Sequence, residues 1–408
     1  MKNVLFITES YYYKASPNAI CVQKVAEHLV NKGYSVSVVT LYNDIGQSQF
    51  ESINGVDVYR VDAGFIERRL YENSVGDKKY NRTLKLSRIN GLLHAFRYPL
   101  LSERQVKHLY RQAEFLHKEK HFDYVVSVYH KIADVLAGIK LKKKNLDIKL
   151  VLYTLDAISG GWVPNILHSS KIPMKSLKCW ERHFFKYIDK MFAMESHRSY
   201  YQKNREYDKY AEKIEYLDIP LLEPCISEKD TSKEIKMVYT GSMGLATANP
   251  WYLLKILDKI ENAKVFIYGR ICDEILKEIQ SCSLYEKRIF LMGSVEHSEI
   301  AKIQQSADLL LNFGNANSNM IPCKIFEYMS TGNRILSFTH SSEDSSLPYI
   351  EKYPNGLIIE EDETLNGVNV EKIKEFISSE HKALDENELK KVFLKNTPEY
   401  FEERLSEV

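Results

Sequence analysis

Apolar residues along this chain alternate between short continuous runs and longer stretches with helical spacing, a pattern that predicts β-strands buried on both faces and joined by helices. Asn3–Thr8 (NVLFIT) and Tyr34–Thr40 (YSVSVVT) are two such runs, and helical patterning over Ile20–Lys32 makes them a βαβ unit. Val56–Val61, Phe122–Tyr129, Lys149–Thr154 and Lys190–Ala193 continue the strands, with helical patterning at Ser176–Tyr187 and Glu195–Lys209. Between Tyr216 and Thr231 the periodicity stops and Pro220 and Pro224 appear, which marks a linker. The alternation then restarts. Strands at Lys236–Thr240, Ala263–Tyr268, Arg288–Met292 and Ala307–Phe313 are interleaved with helices at Pro250–Lys259, Asp273–Gln280 and Ser298–Gln305. Strands near Arg334 and at Gly356–Ile359 follow, then helices at Val370–Ser378, Glu386–Leu394 and Thr397–Ser406, the last with an N-cap threonine and a proline in its first position. The predicted fold class is α/β, with two Rossmann-like domains: 1–220, 221–396, and a C-terminal helix, 397–408, packing back on the first.

Composition narrows the picture modestly. The 408 residues exceed one ordinary core, and 44% hydrophobic with 27% charged residues describes a globular chain. A formal net charge of +1 gives no global nucleic-acid footprint. Six cysteines without a CxxC pair or zinc-ligand spacing fit a reduced, cytoplasmic chain. The opening MKNVLFITES reads as a strand rather than a signal peptide, and no apolar run approaches the roughly 20 residues that span a bilayer. Charge matters most between Arg60 and Arg111, where twelve Lys/Arg stand against five Asp/Glu and Leu84, Leu86, Ile89, Leu92, Leu93 and Phe96 are interleaved. Two readings stand for this stretch: a helix lying on an anionic membrane surface, peripheral on the inner face, or an ordinary amphipathic helix packed on its own domain.

The candidate chemistry gathers at strand ends, where ligands bind in open α/β sheets. Asn315–Ser337 (NANSNMIPCKIFEYMSTGNRILS) follows a buried strand and opens a short helix, with Pro322 suited to its first turn and Gly332 to its end. Lys324 and Glu327 then lie about one turn apart, one able to neutralise a phosphate and the other to accept from a sugar hydroxyl pair. Three preceding strands end in Gly241-Ser242, Gly269-Arg270 and Gly293-Ser294, so a ligand can approach the backbone along one rim. Arg270 and Lys324 make a diphosphate clamp. In the first half, His130 stands beyond a strong strand, placed for a sugar hydroxyl or donor phosphate, unless it is a structural histidine. Asp156 and the Gly160-Gly161-Trp162 turn follow another strand end, and the loop Glu9–Ala19, which holds Asn18, is either a ligand loop or a merely solvated one; Asn18 and Asp156 are the acceptor candidates. No GxGxxG pattern marks a dinucleotide cofactor and no Asp-x-Asp a metal.

The segments NVLFITES, KMVYTGSMG, FIYGR, IFLMGSVEHSEIAKIQQSADLLLNF and above all PCKIFEYMSTGNRIL resemble retaining glycosyltransferases of family 4, and the resemblance covers nearly the whole chain. It implies the GT-B architecture, two Rossmann-like domains facing each other across a cleft, and a hexosyltransferase-like transfer from a UDP- or GDP-sugar to a glycan or lipid-linked acceptor, with no other cofactor and no metal. By the same resemblance Glu327 holds the donor ribose as the second glutamate of an EX7E motif, whose first position is here Asn319. Asparagine can hydrogen-bond a sugar hydroxyl but supplies no charge. Arg270 and Lys324 would neutralise the diphosphate, Gly293 and Ser294 would lie near the base, Ser318 would line the donor loop, and His130 would face the transferred sugar. Two other readings remain at this point: a sugar-nucleotide epimerase of the same architecture, and a non-catalytic nucleotide- or glycan-binding partner.

Overall fold

The computed structural model describes residues 2–12, 16–73, 77–160, 170–225, 234–245, 247–314, 321–362, 365, 367–382 and 384–408, without the side chains of residues 95, 297 and 298. It divides into two compact units, one formed by Met1–Pro220 with Pro398–Val408 and one by Leu221–Thr397.

The first unit begins with β1 (Asn3–Ile7), whose last four residues are buried on both sides. Helix α1 (Pro17–Asn31) starts where Ser16 accepts the Ala19 N–H and Pro17 supplies a preset first position. It leads to β2 (Ser35–Leu41), then to β3 (Phe50–Ile53) and β4 (Val56–Val61), an antiparallel hairpin closed by Asn54-Gly55. Helices α2 (Phe65–Glu72), α3 (Lys78–Leu93) and α4 (Glu103–Lys120) precede β5 (Tyr124–Val128); α5 (Ile132–Lys144), β6 (Lys149–Thr154), α6 (Lys171–Phe184), β7 (Lys190–Met194), α7 (Arg198–Lys203) and β8 (Ile214–Leu217) complete the run. The sheet order is β3-β4-β2-β1-β5-β6-β7-β8 and only β3 runs antiparallel, so the carboxyl ends of the others share one rim. Two features differ from the sequence expectation. The segment Glu195–Lys209 is a short helix flanked by 3-10 turns rather than one helix, and Tyr216 lies in an edge strand rather than in a linker. The edge pairing of β8 with β7 overrides the weak local periodicity of IEYL.

The second unit contains β9 (Ile235–Thr240), α8 (Trp251–Ile256), β10 (Ala263–Tyr268), α9 (Asp273–Ser281), β11 (Ile289–Gly293), α10 (His297–Gln305), β12 (Leu309–Phe313), α11 (Lys324–Ser330), β13 (Arg334–Thr339), α12 (Leu347–Lys352), β14 (Gly356–Glu360), α13 (Val368–Ser378) and α14 (Glu386–Val392). Its sheet, ordered β11-β10-β9-β12-β13-β14, is parallel throughout. Strand β12 is fully buried (LLLNF) and its neighbours carry Val238, Leu336 and Phe338, none exposed, which is why these stretches read as unbroken apolar runs. The final helix, α15 (Pro398–Ser406), belongs to the first unit: Phe401 packs against Tyr153 and Phe192 with ring centroids 5.0 and 5.2 Å away. Among the described residues no helix is long and apolar enough to cross a membrane.

Candidate functional site

Strands β9, β10 and β11 each end in a glycine with positive φ, and hydrogen bonds stitch these ends together: the Gly241 N–H donates to Tyr268 O (2.9 Å) and the Gly269 N–H to Gly293 O (2.8 Å). Gly269 cannot be replaced without cost. Its φ is +128°, and a Cβ there would lie 2.1 Å from the Gly241 carbonyl oxygen. Gly241, Ser242, Arg270, Gly293 and Ser294 are all exposed along this rim. The Arg270 carbonyl is fixed by the Met243 N–H at 2.8 Å, while its side chain stands in solvent. A fourth strand, β12, also ends in glycine: a Cβ on Gly314 would meet Asp344 Oδ2 at 2.8 Å, and the Gly314 N–H donates to Phe338 O at 2.7 Å.

Lys324 opens α11, and its aliphatic stem runs past Gly241, where an added Cβ would touch Lys324 Cδ at 3.7 Å. The amine sits 3.8 Å from the Tyr239 ring centroid, a cation–π distance. Burial pushes the Lys324 pKa down to about 7, against the opposing pull of Asp344 and Glu327. Pro322 does not enter the helix: Cys323 is the N-cap, and α11 is only seven residues long. Gly332 does stand just past the end of α11, with φ +74°.

Glu327 is half-buried and held by a contact that only the fold reveals. Gln304, at the end of α10, donates through Nε2 both to Glu327 Oε2 (3.2 Å) and to Thr240 Oγ1 (3.0 Å). The Thr240 N–H in turn donates to the Tyr328 hydroxyl at 2.9 Å, so the carboxylate is tied to the end of β9. Arg270, Lys324, Glu327 and the three glycines thus all lie at neighbouring strand ends of one sheet. Ser318 and Asn319 lie outside the described residues.

The first unit has its own polar rim. His130, beyond β5, presents Nδ1 to Glu9 Oε2 just beyond β1, and Lys131 Nζ binds the other carboxylate oxygen at 2.7 Å. Such a carboxylate holds the proton on Nδ1 and leaves Nε2 as an acceptor. Burial lowers the His130 pKa, with Asp156 opposing and Lys131 reinforcing. Asn18, at the start of α1, donates to Asp156 Oδ2 at 2.8 Å, so the two acceptor candidates form one hydrogen-bonded pair. His197 lies buried after β7, and desolvation pushes its pKa down to about 4 against the pull of Asp156. The loop bearing Asp156 is anchored by the fully buried Glu181, which accepts from Ser159, from Tyr207 at 2.5 Å and from Tyr201 at 2.6 Å. Gly160 packs against the Tyr200 ring, which a Cβ would meet at 2.7 Å; Gly161 and Trp162 lie outside the described residues.

Glu9, Gln304, Gly314 and Glu181 escape sequence reasoning, because their partners are distant in the chain. The one local signal available was position: Glu9 and Gly314 each stand just beyond a buried strand, as His130 does. Among the described residues no three His, Cys, Asp or Glu side chains are grouped to hold a metal ion.

No protein-family model and no curated protein matches the sequence. Solved structures match it over its whole length. Sucrose-phosphate synthase from Thermosynechococcus elongatus is 12% identical with a TM-score of 0.64, covering 100% of this chain and 98% of its own. HepE of Anabaena, in complex with UDP and glucose, is 13% identical with a TM-score of 0.61 and full coverage of both chains. The lipopolysaccharide outer core galactosyltransferase WaaB is 14% identical with a TM-score of 0.53, again over both chains in full. At these identities the likeness is one of fold: the chain has the GT-B glycosyltransferase fold, built from two Rossmann-like units.

Proposed function

We propose that this chain is a glycosyltransferase that moves a sugar from a nucleotide donor, a UDP- or GDP-sugar, to a glycan or lipid-linked acceptor. The observation that carries this reading is the second unit's rim, where three glycine-ended strands expose backbone beside Arg270, Lys324 and a tethered Glu327, the residue types that suit a diphosphate and a ribose. HepE, of the same fold, is known with UDP-glucose bound. Negative charge grows on the leaving diphosphate as the glycosidic bond breaks, so Arg270 and Lys324 act most strongly in the transition state. Glu327 binds and orients the donor through its ribose hydroxyls. In the first unit, His130 Nε2 accepts from a sugar hydroxyl, and Asn18 with Asp156 contributes polar contacts to the acceptor. We assign transfer with retention, on the motif resemblance to family 4, and place the reaction in surface polysaccharide or glycoconjugate synthesis on the cytoplasmic side. With two protein cations at the diphosphate, turnover requires no divalent metal.

The test is a panel of sugar nucleotides incubated with the protein and with candidate glycan and lipid-linked acceptors, the products read by mass spectrometry. A hexose mass added to one acceptor from one donor, unaffected by a chelator, is the expected result. A donor isomer of unchanged mass, resolved by chromatography and formed with no acceptor, would make the protein an epimerase, and no product from any pairing would contradict the transferase reading.

A further inference from the structure

We infer that the first unit carries a docking surface for an anionic lipid bilayer, formed by α3, the 3-10 turn after it, and the outer faces of α4 and α5. Helix α3 buries only Thr83. At 100° per residue Leu86, Ile89 and Leu93 fall within about 60° of one another. They are 46, 52 and 77% exposed, and Phe96 in the following turn is 76% exposed. Single exposed apolar residues are ordinary, but a contiguous stripe along one helix marks a surface that meets something.

Charge identifies the partner. Helix α3 carries Lys78, Lys79, Arg82, Lys85 and Arg88 and no acidic residue, and Arg82 continues the apolar stripe toward the helix start. Next to this element the fold adds a second cationic feature, a cleft of about 600 Å³ lined by Arg104, Lys107 and Arg111 of α4 and by Lys140, which α5 brings in from elsewhere in the chain. Lys107, Arg111 and Lys140 are exposed and make no ion pair with any described residue. The acid at the edge of the cleft, Glu103, is taken by Arg97 at 2.7 Å, and that pair joins the cleft to the turn bearing Phe96. Apolar side chains that can enter the acyl boundary, flanked by unpaired cations at headgroup level, are what an interfacial helix needs on an anionic leaflet. A second copy of this chain fits poorly, because α3 would meet an equally basic helix with no acid to pair. The surface is independent of the transfer chemistry.

The experiment is cosedimentation of the full chain with vesicles of phosphatidylcholine alone and of phosphatidylcholine with phosphatidylglycerol. Binding to the anionic vesicles only, weakening as salt rises, is expected. Lys107→Gln, Arg111→Gln and Lys140→Gln together should weaken it about 100-fold, at about fivefold per cation. Leu86→Ser, Ile89→Ser and Leu93→Ser together should weaken it at least about tenfold, with circular dichroism and Tm unchanged because all three side chains are exposed. The proposal is overturned if the wild type does not sediment with anionic vesicles, or if both triple variants bind like the wild type. It is equally overturned if the apolar triple abolishes a concentration-dependent dimer instead, which would give the stripe to self-association.

Discussion

Lys324 is a site residue whose chemistry burial alters strongly. Its ordinary pKa of 10.5 falls to about 7 because the amine is buried against Tyr239 and Gly241, so at pH 8 it is largely neutral in the free protein. A bound diphosphate restores the favoured charge, and binding above pH 7 must therefore take up a proton. Sugar-nucleotide affinity should fall as pH rises from 7 to 9, by at most about tenfold per unit. Calorimetry in two buffers of different ionisation enthalpy should find proton uptake at pH 8 that Lys324→Met abolishes; a pH-independent affinity would contradict this. The same depressed pKa has a consequence for stability. Between the folded pKa of about 7 and the unfolded value the unfolded chain binds more protons, so this group adds stability as pH rises through that window and costs most below it. At this scale the sequence showed which residue types stand at strand ends, and Lys324, Glu327, Arg270 and His130 could be named from that alone. Their partners could not be named. Glu9 and His130 lie 121 positions apart, and Gln304 reaches Thr240 across 64, so only the parallel register brings them together.

At the scale of elements, the parallel strands were the most legible feature, since strands buried on both faces, such as β1 and β12, leave unbroken apolar runs. The β3–β4 hairpin was missed although Ile53-Asn54-Gly55-Val56 carries a recognised turn signal, with Asn54 at φ +50° and Gly55 at +80°. Its first strand alternates exposed and half-buried positions, so composition gave no strong run. The helix Lys78–Leu93 was legible as a periodic stretch, but which way its apolar residues face was not. Leu86, Ile89 and Leu93 face outward, while Thr83 is buried and Leu84 half-buried on the same helix. The glycine-ended strands make a sharper prediction. Gly269→Ala places a methyl group on the Gly241 carbonyl at a φ that L-residues avoid, and should cost about 2–4 kcal/mol. Urea unfolding measures it, and a variant as stable as the wild type would show that the rim is slack.

Over the whole molecule, the chain returns to its first unit after building the second, and α15 inserts Phe401 among Phe6, Tyr153 and Phe192. Phe401 is 1% exposed, so Phe401→Ala should destabilise the first unit by about 3–5 kcal/mol. In a calorimetric scan the loss should fall on one transition, while a nucleotide bound by the second unit should raise the other. Unchanged melting of the variant would contradict the packing. Whether the rim of that second unit binds a nucleotide is measured by isothermal titration of UDP and GDP into the wild type and into Glu327→Ala. One nucleoside diphosphate should bind the wild type saturably, with an affinity at least about tenfold weaker in the variant, the loss of a charge-assisted hydrogen bond. No binding of either nucleotide to the wild type, or equal affinity in the two proteins, would contradict this.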